Sequence, residues 1–315
     1  MTCRHSVVFL GTAEFALPAL RALSASNLFH LAAVVSRPPR PAGRGRKLRQ
    51  PPVAAEAADM DVPLMQPEKA GDAEFLAGLR VLAPTVMVCA AYGLYMPDEL
   101  LESADLGVVN IHPSMLPRHR GAAPIQRTIM AGDGSTALCF MLTDSRGWDT
   151  GPILRCYRRT LSSRETAGSL HDRLAALAGE KLEEVLAAYV EGDLTPSPQR
   201  GQPTYADRIG RKETLIDWSR PAEELDRMVR ALCPWPGART RFRGGSLKVL
   251  MAEPLQGDFG PPGALLALDG LPVAACGEGG LLLKRLQPQS KRRMDGDAFL
   301  RGYQPRSGEE LGDGP

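Results

Sequence analysis

The stretch SVVFLGTAEFALPALRALSASNLFHLAAVVS (Ser6–Ser36) decides the fold. It opens on an unbroken apolar run, Ser6–Gly11, of strand length and without polar alternation, as a strand covered on both faces requires. Apolar residues then recur at helical spacing through Ala13–Ser26, and a second β-branched run fills His30–Ser36. Strand, helix and strand in this order predict a βαβ unit with its two strands parallel.

Working outward, Pro84–Ala91 predicts a buried third strand, and Leu106–Ile111 and Ala137–Leu142 predict two more. The fold class expected is α/β, a doubly wound, mainly parallel sheet, in which ligands bind outside the carboxyl ends of the strands. Functional residues should therefore follow those strands directly. A long helix is expected over Ser163–Glu191, with Leu170, Leu174, Leu177, Leu182, Val185 and Leu186 on one face. Gly192–Tyr205 loses that periodicity and gains Pro and Gly, as a linker does.

Beyond it, Ser219 caps a helix with Pro221 in its first turn. Short runs follow at Ala238–Arg243, Leu247–Ala252, Gly263–Leu268, Pro272–Cys276 and Gly280–Leu286, which predicts a small OB-like β-barrel. The expected organisation is a catalytic domain over 1–191, a linker over 192–208 and a C-terminal barrel domain over 209–315. Gln304–Pro315 reads as a frayed tail.

Composition narrows the function. The 315 residues carry 38 Lys+Arg against 36 Asp+Glu, a net charge of +2, so a whole-molecule polycation is excluded and any nucleic-acid contact must be local. The longest apolar stretches, such as Val86–Ala91, fall far short of a membrane span, and nothing near the start has a signal-peptide pattern. A cytoplasmic protein is expected. Its six cysteines (Cys3, Cys89, Cys139, Cys156, Cys233, Cys276) form no Cys-x-x-Cys pair and most lie in apolar runs, so buried thiols are expected rather than disulfides, and no structural metal.

The densest chemistry lies in Asn110-Ile-His112-Pro-Ser114-Met-Leu-Pro117-Arg-His-Arg120-Gly121, a Pro- and Gly-rich loop at the end of a predicted strand. Strand alternation puts Asn110 and His112 on one side. An amide donor and an imidazole at one point suit a reaction that builds negative charge on a carbonyl oxygen while a proton leaves a nucleophile. A second loop follows Ala137–Leu142, and on physical grounds either Asp144 or Asp149 could orient the histidine.

Between Arg37 and Arg49 fall six basic residues, Arg37, Arg40, Arg44, Arg46, Lys47 and Arg49, with no acidic residue between Glu14 and Glu56. Such density in a Pro/Gly-rich segment after a strand predicts a mobile arm for phosphates. Neither a dinucleotide fingerprint nor a nucleotide-hydrolysing Gly-x-x-x-x-Gly-Lys-[Ser/Thr] motif is present. In the barrel, alternation places Arg239, Arg241 and Arg243 on one face, a further candidate surface for tracking a phosphate backbone, while Trp218 and Trp235 read as packing residues.

Together these residues resemble the methionyl-tRNA formyltransferase family along nearly the whole chain. The resemblance rests on Gly11-Thr12-x-x-Phe15-Ala16, Arg40-Pro-Ala-Gly-Arg-Gly45, Ala91-Tyr92-Gly93-Leu94 and Asn110-x-His112-x-Ser114-x-Leu116-Pro117-x-x-Arg120-Gly121-Ala-Ala-Pro-Ile-Gln126. Asp149-Thr-Gly-Pro152, Ile216-Asp217-Trp218 and Pro234-Trp-Pro-Gly-Ala238 complete it. It implies transfer of a formyl group from 10-formyltetrahydrofolate to the α-amine of methionyl initiator tRNA, with no metal and, by default, a monomer without an obligate protein partner.

By the same resemblance Asn110, His112 and Asp149 match the catalytic trio, which selects Asp149 over Asp144. Ser114, Met115, Leu116 and Pro117 match the folate-binding stretch, with Tyr92, Gly93 and Leu94 lining the same pocket. Arg44 matches the arm arginine at the acceptor end of the tRNA, with Arg40, Arg46 and Lys47 beside it. Ala13 replaces a usual Pro, Met115 a usual Leu, and Trp148 a common Leu. A formyltransferase acting on an amino-sugar nucleotide is the alternative, which the basic arm argues against.

Overall fold

The computed structural model describes residues 5–43, 45 and 47–312. The chain divides into two compact units, Met1–Gly121 with Ser135–Arg159 and His171–Tyr205, and Ala122–Gly134 with Thr160–Leu170 and Ala206–Pro315. Both units are therefore woven from separate stretches of chain.

In chain order the elements up to the long helix are β1 (His5–Gly11), α1 (Leu17–Ser24), β2 (Phe29–Val35), β3 (Arg40–Ala42), β4 (Lys47–Arg49), α2 (Pro52–Ala58), β5 (Leu64–Met65), α3 (Ala73–Leu82), β6 (Val86–Ala90), α4 (Asp98–Leu101), β7 (Val108–His112), α5 (Pro124–Met130), β8 (Ser135–Leu142), β9 (Ile153–Thr160) and α6 (Ala167–Val190). The first unit holds a seven-stranded sheet in the order β5-β2-β1-β6-β7-β8-β9. Pairings from β5 to β7 are parallel and β7–β8 is antiparallel. The expected doubly wound sheet is thus present, with its order reversing between β1 and β6.

The apolar runs are continuous because both faces are covered: every residue of β6, and Val7–Gly11 of β1, is buried. Two strands of this sheet escape the sequence reading. β5 is too short to show a period, and β9 mixes Arg155, Arg158 and Arg159 with Ile153 and Leu154 because it is an edge strand. The α6 leucines and Val185 predicted for one face are all buried.

The cysteine expectation fails at one pair. Cys139 on β8 and Cys156 on β9 form a disulfide across neighbouring strands, with Cα atoms 4.1 Å apart. Separate apolar runs gave no hint of this, because strand adjacency is a tertiary fact.

The second unit carries α7 (Ala222–Ala231), β10 (Ala238–Phe242), β11 (Gly245–Leu255), β12 (Ala264–Leu268), β13 (Leu271–Ala275), β14 (Gly280–Pro288), β15 (Met294–Asp295), α8 (Gly296–Tyr303) and β16 (Glu309–Glu310). Its antiparallel sheet runs β10-β11-β14-β13-β12-β16, with β15 on β14, in a half-barrel arrangement. Leu225, Val229, Leu247, Val249, Leu283 and Phe299 meet in its core. Helix α8 was not foreseen, and of the stretch expected to fray the described part, 304–312, is docked, while 313–315 lie outside the described residues. Glu309 and Glu310 pair with β12, Leu311 is buried, and its amide donates to the Gly263 carbonyl at 2.8 Å.

Trp218 packs as expected, its indole N–H donating to Thr240 Oγ1 at 3.0 Å. Trp235 does not, being 78% exposed.

Candidate active site

β7 ends on Asn110 and His112, two positions apart and hence on one face, opposite Met141 and Cys139 of β8. The chain then turns sharply. The Ser114 amide donates to the His112 carbonyl (3.0 Å), the Leu116 amide to Ser114 (3.1 Å) and Ser114 Oγ to the Arg118 carbonyl (2.7 Å), around a cis Leu116–Pro117 bond. At His119 the backbone enters the left-handed region, φ 57°. This fold-back brings the His119 carbonyl 3.1 Å from His112 Nε2, so Nε2 carries the hydrogen and Nδ1 is the ring atom able to exchange a proton.

The loop after β8 supplies the acid. Asp149 Oδ1 accepts from Asn110 Nδ2 at 3.2 Å, Oδ2 accepts from the Gly121 amide at 2.8 Å, and Oδ2 lies 3.6 Å from His112 Nδ1. Both side chains are largely enclosed, His112 with 5% and Asp149 with 14% of its side chain exposed. The structure thus brings Asn110, His112 and Asp149 to one point.

Asp144 belongs to its own loop, accepting from Arg146 and from Thr150 Oγ1 (2.8 Å). Burial pushes its carboxyl up, but the Arg146 and Thr150 hydrogen bonds outweigh this and hold it below the usual carboxylate range. Gly151 has no room for a side chain, since a Cβ there would lie 1.8 Å from the Leu142 carbonyl oxygen. Burial pushes the Cys89 thiol of β6 up to about 12, so it is no nucleophile at neutral pH.

Around this point, Leu116 is buried on Ala137, Cys139 and Met141, with Met115 and Ile153 half-buried beside them. Ser114 and Pro117 are also buried. Tyr92 packs its ring into the core cluster instead of an open wall, and Thr12 Oγ1 donates to its carbonyl at 2.6 Å. Its neighbours Gly93 and Leu94 are exposed and half-buried. The buried Arg37 Nε, whose guanidinium approaches Gly93, and the Tyr92 hydroxyl have no hydrogen-bond partner among the described residues. An unpartnered Arg37 donor beside Gly93, with an apolar patch around Leu116, fits a flat heterocycle with a polar edge such as a folate.

Trp148 is 65% exposed and meets Tyr95 edge to face at 6.0 Å. In the basic segment the described residues form a two-stranded antiparallel hairpin, β3 with β4. Arg40 pairs with Glu68 at 2.5 Å and Lys47 is exposed, while Arg44 and Arg46 lie outside the described residues. Sequence reasoning missed the His119 carbonyl, the Gly121 amide and Gln199, whose Nε2 donates to the Asp149 carbonyl at 2.8 Å. Gln199 fell in the stretch read as a linker, and nothing in its neighbours' periodicity marks it.

The family model described as formyl transferase matches residues 4–186, and that described as formyl transferase, C-terminal domain, matches residues 208–304. The chain belongs to the formyl transferase family. Within that family it is 44% identical to the methionyl-tRNA formyltransferase of Ruegeria pomeroyi, over 97% of this chain and 99% of the relative. It is also 44% identical to that of Myxococcus xanthus, over 98% of each. A solved N-formyltransferase from Helicobacter canadensis, in complex with folinic acid and dTDP-3-aminofucose, shares the formyl transferase fold at TM-score 0.67 but only 14% identity, covering 89% of this chain and 98% of that one. Among the described residues no helix is long and apolar enough to cross a membrane, and no group of His, Cys, Asp or Glu could hold a metal ion.

Proposed function

We propose that this chain transfers the formyl group of 10-formyltetrahydrofolate to the α-amine of methionyl initiator tRNA. The observation that carries the reading is the meeting of Asn110, His112 and Asp149 at the carboxyl end of β7, in a chain so close to the methionyl-tRNA formyltransferases. The sugar-acting structures share the fold alone, at 14% identity in the Helicobacter canadensis case, so they lend no weight to an amino-sugar substrate.

Bound folate supplies the formyl carbon. Asn110 Nδ2 has one hydrogen on Asp149 and a second to donate to the oxygen on which negative charge grows as the amine attacks. Loss of such a donor typically raises a barrier by about 2.7–4 kcal/mol. His112, its Nε2 committed to the His119 carbonyl, would take the amine proton at Nδ1 and return it towards the departing folate nitrogen. Asp149 Oδ2 stands 3.6 Å away to balance the charge on the ring. Ser114–Pro117 with Gly93, Leu94 and the backbone of Tyr92 would form the folate site, and the basic residues Arg40, Arg44, Arg46 and Lys47 would hold the acceptor end of the tRNA. The enzyme would act in the cytoplasm as a monomer without an obligate protein partner.

The test is a formyl-transfer assay offering charged initiator tRNA, charged elongator tRNA and an amino-sugar nucleotide in parallel. Selective formylation of the initiator supports the reading. Formylation of the sugar nucleotide alone would overturn it.

A further inference from the structure

Asp149 adopts φ 54°, a left-handed backbone conformation that a residue with a Cβ keeps only when its surroundings hold it there. One side chain fifty positions further along the chain does much of the holding. Gln199 Nε2 donates to the carbonyls of Asp149 and Gly151, both at 2.8 Å, while its Oε1 accepts from Arg120 Nε at 3.1 Å and Nη2 at 2.7 Å. Arg120 lies in the loop after β7, and Asp149 and Gly151 in the loop after β8. A single amide, with both donor hydrogens and its acceptor engaged, thus ties the two loops together.

The rest of the segment reinforces that tie. Ser197 and Ile153 exchange backbone hydrogen bonds at 2.7 and 2.8 Å. Thr204 accepts at its carbonyl from the Arg120 amide (2.9 Å) and at Oγ1 from the His119 amide (2.9 Å). His119 is the residue whose carbonyl holds His112, and Gly121 follows Arg120 and donates to Asp149.

We infer that Gln199 is a positioning residue for formyl transfer, fixing Asp149 in the backbone conformation from which its carboxylate reaches Asn110, Gly121 and His112. The inference rests on the reading of Asp149 as a member of the reacting trio. Gln199 touches none of the reacting groups itself, so its effect should pass through Asp149 and vanish when Asp149 is already disabled.

Two variants test it in the full-length enzyme under single-turnover conditions. Gln199→Met removes every hydrogen bond at similar volume. Gln199→Glu keeps an acceptor for Arg120 but loses both donors and sets carboxylate oxygens against two carbonyls. Each should lower the rate of formyl transfer by about 10- to 100-fold, the effect of misplacing a reacting group by roughly an ångström, with the KM for folate and for charged tRNA nearly unchanged. In an Asp149→Asn background, Gln199→Met should cost less than about threefold further.

An unchanged rate in both single variants, or an equal cost in both backgrounds, overturns the inference while leaving the trio intact. A rise in KM at constant kcat also overturns it. Wild-type activity in Asp149→Asn alone would instead sink the reading of the trio on which the inference stands.

Discussion

At the carboxyl end of β7, polar groups converge on one carboxylate: Asn110 Nδ2, the Gly121 amide and His112 Nδ1 all approach Asp149 within 3.6 Å. On the second unit's sheet, polar groups of similar type are paired off separately. Arg239 donates to Thr214 Oγ1, Arg243 donates from Nε and Nη2 to Glu309, Lys284 meets Glu253 at 2.5 Å, and Arg285 meets Asp295 at 3.1 Å. The first arrangement depends on two residues held in the left-handed region, His119 and Asp149, whereas the second, apart from Arg243 just after β10 at φ 49°, rests on regular strand alternation with Ala238, Thr240 and Phe242 inward. Convergence of unlike groups is what a reaction centre requires, and separate pairing is what a stable, soluble sheet face requires.

Substitutions should separate the two regions. The largest effect is expected from Asp149→Asn, which should cut turnover by about 10³-fold or more while tRNA binding, read by filter retention, survives. Next, Gly151→Ala drives a methyl into the Leu142 carbonyl and should abolish transfer with the loop displaced. Gly277→Ala, 1.8 Å from the Ser219 carbonyl, should instead lower the second unit's unfolding free energy by about 3 kcal/mol, measured by urea titration. Equal effects of both glycine changes on activity and stability would break the comparison.

Acid tests the pairings of the second unit. Within the described residues of the second unit, the Arg127 hydrogen bond lowers Glu213, Ser219 lowers Asp217, Lys284 lowers Glu253, Arg301 lowers Asp297 and Arg243 lowers Glu309. A carboxyl lowered in the folded state stabilises it fully above its ordinary value and loses that contribution as pH falls through the lowered one. The second unit should therefore weaken progressively below the ordinary glutamate value of 4.5, as followed by Trp218 fluorescence. A stability flat from neutral pH to about pH 3 would contradict this.

Smaller still, Trp218→Phe leaves Thr240 Oγ1 without its indole donor and should cost about 1–2 kcal/mol with turnover unchanged. Last, Lys47→Ala should reduce the salt slope of tRNA binding by about 1, while Arg239→Ala, bonded to Thr214, should leave it unchanged. Equal slopes for the two would remove the hairpin from the tRNA site.

The parallel strands were legible because burial on both faces leaves continuous apolar runs, and Asn110-x-His112 was legible because strand alternation is strict. Asp144 and Asp149 were not separable by periodicity, since both sit in a polar loop after β8; the family resemblance selected Asp149, and the turn at Gly147–Gly151 is what points it towards His112. Leu311 was hidden by a polar, Gly-rich tail whose few apolar residues find their partners far away in sequence. Gln199 was hidden more completely. Its role depends on two loops that meet only in space.

The sequence alone determined the main βα order of the first unit, the family and the candidate trio Asn110, His112 and Asp149, because these follow from local periodicity and from short motifs. Tertiary structure decided the rest: which nitrogen of His112 is taken up by the His119 carbonyl, which aspartate the ring faces, the Cys139–Cys156 pairing and the structural place of the segment around Gln199. Each of these depends on a hydrogen bond or a strand register between residues distant along the chain. No local pattern of apolar and polar residues encodes such contacts.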